Sequence, residues 1–114
     1  MIYSIENEFI SAKIDEKGAE LISLKLKDDG CEYIWQGDEK YWTGHSPIMF
    51  PICGRLVDGK YTYRGKEYEL GCHGFARHMN FELVGASDNE ITLSLASSEQ
   101  TKAEYPFDFV LFVS

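Results

Sequence analysis

Tyr61-Thr62-Tyr63-Arg64-Gly65-Lys66-Glu67-Tyr68-Glu69-Leu70 reads as a β-hairpin. Two short segments with apolar side chains at i and i+2 flank Arg64-Gly65, and glycine supplies the positive φ that a tight hairpin turn needs. The same period of two spreads outward in both directions. Upstream, Ile10, Ala12 and Ile14 share one face before the turn Asp15-Glu16-Lys17-Gly18, and Ile22, Leu24 and Leu26 alternate with Ser23, Lys25 and Lys27 before Asp28-Asp29-Gly30. Downstream, residues 81–84 and 91–95 flank residues 85–90 as a second hairpin, with Ile91, Leu93 and Leu95 on one face. Helical spacing is nearly absent, so the pattern predicts an all-β fold, an antiparallel β-sandwich. Phe107-Asp108-Phe109-Val110-Leu111-Phe112-Val113-Ser114 is an apolar strand still running where the sequence stops. Without a neighbour it would expose a sticky edge. Residues 1–114 are therefore expected to form a single partial domain, the front part of a longer β domain.

Composition narrows the function. Lys and Arg number 11 against 19 Asp and Glu, a net charge of −8 in 114 residues, which disfavours nucleic acid and anionic lipid as partners. Hydrophobic residues at 44% against 26% charged predict a globular chain with a core. Cys31, Cys53 and Cys72 are odd in number and lack a CxxC spacing, so no disulfide framework is expected. No basic-then-apolar leader and no stretch near the ~20 apolar residues of a membrane span is present. The expected setting is a soluble protein of the reducing cytoplasm.

Candidate chemistry gathers between Tyr41 and His78, which holds all three histidines, Pro47, Pro51, Arg55 and Arg77 among several glycines. In Ser46-Pro47-Ile48-Met49-Phe50-Pro51-Ile52-Cys53-Gly54-Arg55-Leu56 the prolines exclude a central strand and the apolar residues exclude a solvated loop, so Arg55 leaves a rigid, buried turn. Its fork suits a carboxylate, a phosphate or paired sugar hydroxyls, and taken alone the residue reads first as half of a structural ion pair with one of the many acids. In Gly71-Cys72-His73-Gly74-Phe75-Ala76-Arg77-His78, His73 sits where a ligand or the backbone can approach closely. It reads either as a ligand-binding or as a structural histidine. His45, His73, His78, Cys53 and Cys72 could hold a metal in principle but lack the paired short spacing of a zinc site, so no metal is expected. Trp35, Tyr41, Trp42, Phe50 and Phe75 offer flat walls for a sugar or belong to the core.

The ordered series Gly18-Ala19-Glu20-Leu21, Tyr33-Ile34-Trp35-Gln36-Gly37-Asp38, Trp42, Pro47, Phe50-Pro51, Gly54-Arg55, His73-Gly74-Phe75-Ala76-Arg77 and Tyr105-Pro106-Phe107 resembles the N-terminal part of the galactose mutarotase-like, aldose 1-epimerase family. The resemblance is nearest to the LacX-like bacterial branch and runs along essentially all 114 residues. It implies the leading portion of a large antiparallel β-supersandwich and an isomerase that interconverts α and β anomers of an aldose or sugar phosphate without a cofactor. Arg55 matches the family's substrate-binding arginine and His73 the first of its active-site histidines. Arg77 and Phe75 belong to the same matched motif, Arg77 as a rim contact. No catalytic residue is matched within this chain: the acid histidine and the glutamate base of the family lie in later segments, after Ser114, so the chain alone is expected to be inactive. A carbohydrate-binding module without catalysis and a hexose-phosphate mutarotase are the alternatives, since a fold guarantees no chemistry. The sequence leaves the oligomeric state open.

Overall fold

The structure, a computed structural model, describes residues 1–114. Three small antiparallel sheets follow one another along the chain. The first comprises β1 (Ile2–Glu6), β2 (Ile10–Asp15) and β3 (Glu20–Leu26) in the order β1-β2-β3. The second is the hairpin of β4 (Lys60–Tyr63) and β5 (Lys66–Glu69), and the third holds β6 (Glu82–Ala86), β7 (Ile91–Ala96) and β8 (Val110–Val113) in the order β6-β7-β8.

In β7 the alternation that predicts the strand also sets its faces. Ile91, Leu93 and Leu95 of β7 are each at most 6% exposed while Thr92 and Ser94 between them are only half-buried. The β4–β5 turn is made by Arg64 and Gly65 at φ 50° and 77°, the two left-handed residues a type I′ turn requires. Tyr61 and Tyr68 face each other across that hairpin and stack at 5.4 Å.

Two elements depart from the expectation. β1 is an additional strand whose Tyr3 and Ile5 point inward. A short helix, α1 (Glu99–Glu104), joins β7 to β8, where no helix was anticipated. It is started by a reciprocal cap: the Ser98 hydroxyl accepts from the Thr101 N–H and the Thr101 hydroxyl accepts from the Ser98 N–H. The last strand, read as residues 107–113, is confined to Val110–Val113, because Tyr105, Phe107 and Phe109 turn into an aromatic cluster with Phe50 and Tyr63 instead.

The outer sheets are tied together through the β2–β3 turn and the end of β1. Gly18 N–H donates to Met79 O at 2.9 Å, Phe81 N–H to Glu16 O at 2.9 Å and Glu6 N–H to Asp88 O at 2.7 Å. Ala19, Leu70, Phe75, Ala76, Phe81, Ile91, Leu93 and Leu95 form the buried core at this junction. The molecule is a slab of 57 × 35 × 17 Å. Its accessible surface of 7781 Å² is about a fifth above the value expected for a compact monomer of this mass.

Candidate functional site

The irregular segment of residues 46–55 is held at both ends by backbone pairing. Ser46 bridges Leu21 of β3 and Ile48 N–H donates to Gly18 O at 2.9 Å. Further on, Phe50 pairs in parallel with Gly74, and its carbonyl accepts from the N–H groups of Phe75 and Ala76 at 3.0 and 3.1 Å. The proline-rich stretch thus lies against the His73 turn.

Gly54 and His73 are locked to each other twice. The His73 N–H donates to Gly54 O at 2.8 Å, and the Gly54 N–H donates to His73 Nδ1 at 2.8 Å. A ring nitrogen that accepts from a backbone N–H carries no proton, so the imidazole is the Nε2–H tautomer. Its Nε2–H has no partner within the protein and is free to donate to a ligand oxygen. This pose depends on two consecutive left-handed residues, His73 at φ 64° and Gly74 at φ 73°. A Cβ at position 74 would lie 2.2 Å from Phe50 O, so only glycine fits there.

Arg55 follows Gly54 directly and is exposed. It takes part in none of the ion pairs or side-chain hydrogen bonds, although acids outnumber bases along the chain. The structural ion pair that the sequence favours is not formed. Arg55 instead borders a depression of ≈490 Å³ walled by Leu56, Asp58, Leu70 and Cys72, the last of these directly preceding His73 in the chain. An arginine fork and an imidazole N–H on adjoining rigid turns present hydrogen-bond donors without internal acceptors, an arrangement suited to a polyhydroxylated ligand.

The other candidates are placed differently. Phe75 is 7% exposed and packs among Phe50, Tyr105 and Phe109 at centroid distances of 6.1, 6.4 and 6.1 Å, so its ring supports the turn from below and offers no face to a ligand. Arg77 is half-buried under Gly18, with its Nε buried and unpartnered, away from the Arg55 depression. His45 is tied to Glu20, its N–H donating to Oε1 at 2.9 Å and its Nδ1 3.7 Å from the same oxygen. His78 is exposed. Trp35 donates from its indole to Trp42 O at 2.6 Å and meets Tyr41 edge-on, within a separate loop. The largest depression, ≈940 Å³, lies between the β1–β2 hairpin and the β6–β7 turn and contains none of these residues.

Asp58 also borders the Arg55 depression, and no sequence motif singles it out. The available signal was its place between Val57 and Gly59, three positions after Arg55. A single aspartate before a glycine is ordinarily just a turn.

A family model described as Aldose 1-epimerase matches residues 1–114. The chain is 36% identical over 118 residues to Protein LacX, plasmid, of Lactococcus lactis subsp. lactis, covering 99% of this chain and 39% of that protein. Among solved structures it is similar to the galactose mutarotase related enzyme from Lactobacillus acidophilus, with 43% identity and a TM-score of 0.95 over 98% of this chain and 37% of that one. A galactose mutarotase-like protein from Lactobacillus casei matches at 38% identity and a TM-score of 0.94, over 98% of this chain and 38% of that one. The chain spans about two fifths of the length of the curated relatives it matches.

Proposed function

The chain belongs to the aldose 1-epimerase family, and from that premise we propose that the whole protein interconverts the α and β anomers of an aldose by acid/base ring opening, with these residues supplying part of the sugar clamp. One observation carries the assignment to this region: an unpaired Arg55 next to a His73 ring whose Nδ1 is held by Gly54, leaving Nε2–H to donate.

The reaction needs a base to remove the proton from the anomeric hydroxyl and an acid to protonate the ring oxygen as the C1–O5 bond breaks. The open chain carries its aldehyde at C1, rotation about C1–C2 presents the other carbonyl face, and reclosure reverses both proton transfers. Both transfers require the sugar to be held within hydrogen-bond reach of two groups at once, and orientation of this kind accounts for a large part of such a barrier. In this reading Arg55 donates its fork to hydroxyl oxygens and His73 donates Nε2–H to an oxygen near the reacting end, neither moving a proton. The glutamate base and the histidine acid are assigned to the portion of the relatives' length that these 114 residues do not span. A cytoplasmic aldose is the proposed substrate.

Arg55→Ala and His73→Ala in the whole protein should each lower kcat/KM for mutarotation roughly 10- to 100-fold, the loss of a charged or well-aligned hydrogen bond to substrate. Arg55→Ala should leave the melting temperature nearly unchanged, because the side chain is exposed and unpaired. Polarimetry of freshly dissolved α-anomers measures the first and thermal unfolding the second. Unchanged kinetics in both variants would remove the clamp, and sugar binding without any catalysis of mutarotation would favour a binding module.

A further inference from the structure

We infer that Met49 and Cys53 together form a binding site for a soft, monovalent metal ion of the copper(I) class, just ahead of the Gly54–Arg55 turn. The inference goes beyond the proposed sugar clamp and does not depend on it.

The two sulfurs are neighbours in space: Cys53 Sγ lies 3.5 Å from Met49 Sδ, across four positions of chain. Their closeness is set locally. Phe50 O accepts from the N–H groups of Phe75 and Ala76 at 3.0 and 3.1 Å, and Gly54 O accepts from His73 N–H at 2.8 Å. The span that carries both sulfurs is thus anchored near each end on one turn, with the ring of Pro51 restricting the backbone between. No other part of the protein is needed to bring the pair together.

A thiolate and a thioether are both soft donors, and such a set suits copper(I). Zinc takes thiolate, imidazole and carboxylate ligands, so the zinc spacings absent from the sequence leave the Met49 donor uncounted. Two metal–sulfur bonds of about 2.3 Å, the length found in metal thiolates, meet at roughly 100° when the sulfurs are 3.5 Å apart. The unbranched Met49 side chain can swing outward to widen that angle. On binding, the Cys53 thiol releases its proton to solvent and its sulfur bonds the ion, while a lone pair of the Met49 sulfur makes the second bond. Neither sulfur changes oxidation state, and the thiolate cancels the charge of the ion.

The test uses the whole protein under anaerobic conditions, with copper(I) partitioned between the protein and a chromophoric copper(I) chelator. Wild type should withdraw one equivalent more than Cys53→Ser. Met49→Leu, which nearly conserves volume, should hold that equivalent at least tenfold more weakly, and Cys31→Ser should leave it in place. Silver(I), a redox-inert probe, should also shift the methyl resonance of Met49 in wild-type protein labelled at its methionine methyls. Zinc(II) should not shift it. An affinity equal in wild type and Met49→Leu, or a Met49 methyl that silver(I) leaves unmoved, overturns the inference. The silver readout needs no cysteine variant to fold. Both readouts report binding of the ion alone, so failure of mutarotation and failure of this site are seen separately.

Discussion

Residue 74 shows how closely one backbone atom governs the site. Its α-hydrogen faces the Phe50 carbonyl, where a methyl carbon would sit 2.2 Å from oxygen, and its φ of 73° is itself disfavoured for alanine. Gly74→Ala must therefore move either the residue 46–55 segment or the His73 turn. The expected loss is at least about 2 kcal/mol, strain and displacement together. Gly65 is the internal control: it has φ 77° but nothing within 4 Å of an added Cβ. Gly65→Ala should cost only the left-handed strain of about 1 kcal/mol. Urea unfolding of both variants measures the difference, and equal losses would show that the contact with Phe50 relaxes freely. His73 is subject to the same geometry from the other side, since its ring reaches Gly54 only because residues 73 and 74 are both left-handed. Neither the tautomer nor the freedom of Arg55 from acids was legible in the sequence. Both depend on which groups meet across 19 residues of chain or more, and a composition with excess acid argues for the ion pair that the fold does not form.

At the scale of elements, the loop after β3 is fastened by a side chain in addition to a backbone bridge between Lys25 and Glu32. Glu32 accepts the Ser23 hydroxyl on one oxygen at 2.6 Å, and the N–H groups of Leu24 and Ile34 on the other at 2.8 and 3.1 Å. The Ser23 hydroxyl first and the Leu24 amide next hold its carboxyl below the ordinary glutamate range. A carboxyl lowered in the folded state stabilises above its unfolded value, and that contribution is lost as pH falls through the folded one. The fastening should therefore be intact at neutral pH and weaken progressively below about pH 4.3. Trp35 and Trp42 lie in the loop it anchors, so their fluorescence should change in that range before the strands unfold. Glu32→Gln should abolish this early step; its persistence in the variant would assign the titration to another carboxyl. The strands were largely readable, because β2, β3, β7 and the β4–β5 hairpin each alternate cleanly about glycine or acidic turns. β1 was not, since Ile2 and Tyr3 are adjacent and point opposite ways. α1 has six residues, too few for an apolar stripe to repeat, and its only mark was Ser98 three places before Thr101.

For the molecule as a whole, the question is what so thin a slab does with its apolar surface. Its radius of gyration is 16.6 Å, against roughly 13 Å for a compact domain of this length. An apolar cleft of ≈370 Å³ opens between the first and third sheets, lined by side chains such as Ile14, Leu21, Leu93 and Val113. Beside it β8 is the edge of its sheet, with Val110 56% and Phe112 60% exposed on its outer face. An unpaired edge carrying exposed apolar side chains is a template for pairing with another chain, and charge on such a strand is the usual protection. The 114-residue chain, produced by itself, should consequently self-associate at micromolar concentration and bind an apolar dye. Val110→Lys together with Phe112→Lys should shift sedimentation toward monomer without loss of β-sheet signal, because both side chains point away from the core. Dye binding should persist in that double variant, since the cleft lies on the opposite face of the strand, where Leu111 and Val113 are turned inward. A wild-type chain that sediments as a monomer and binds no dye would mean that the cleft closes in solution.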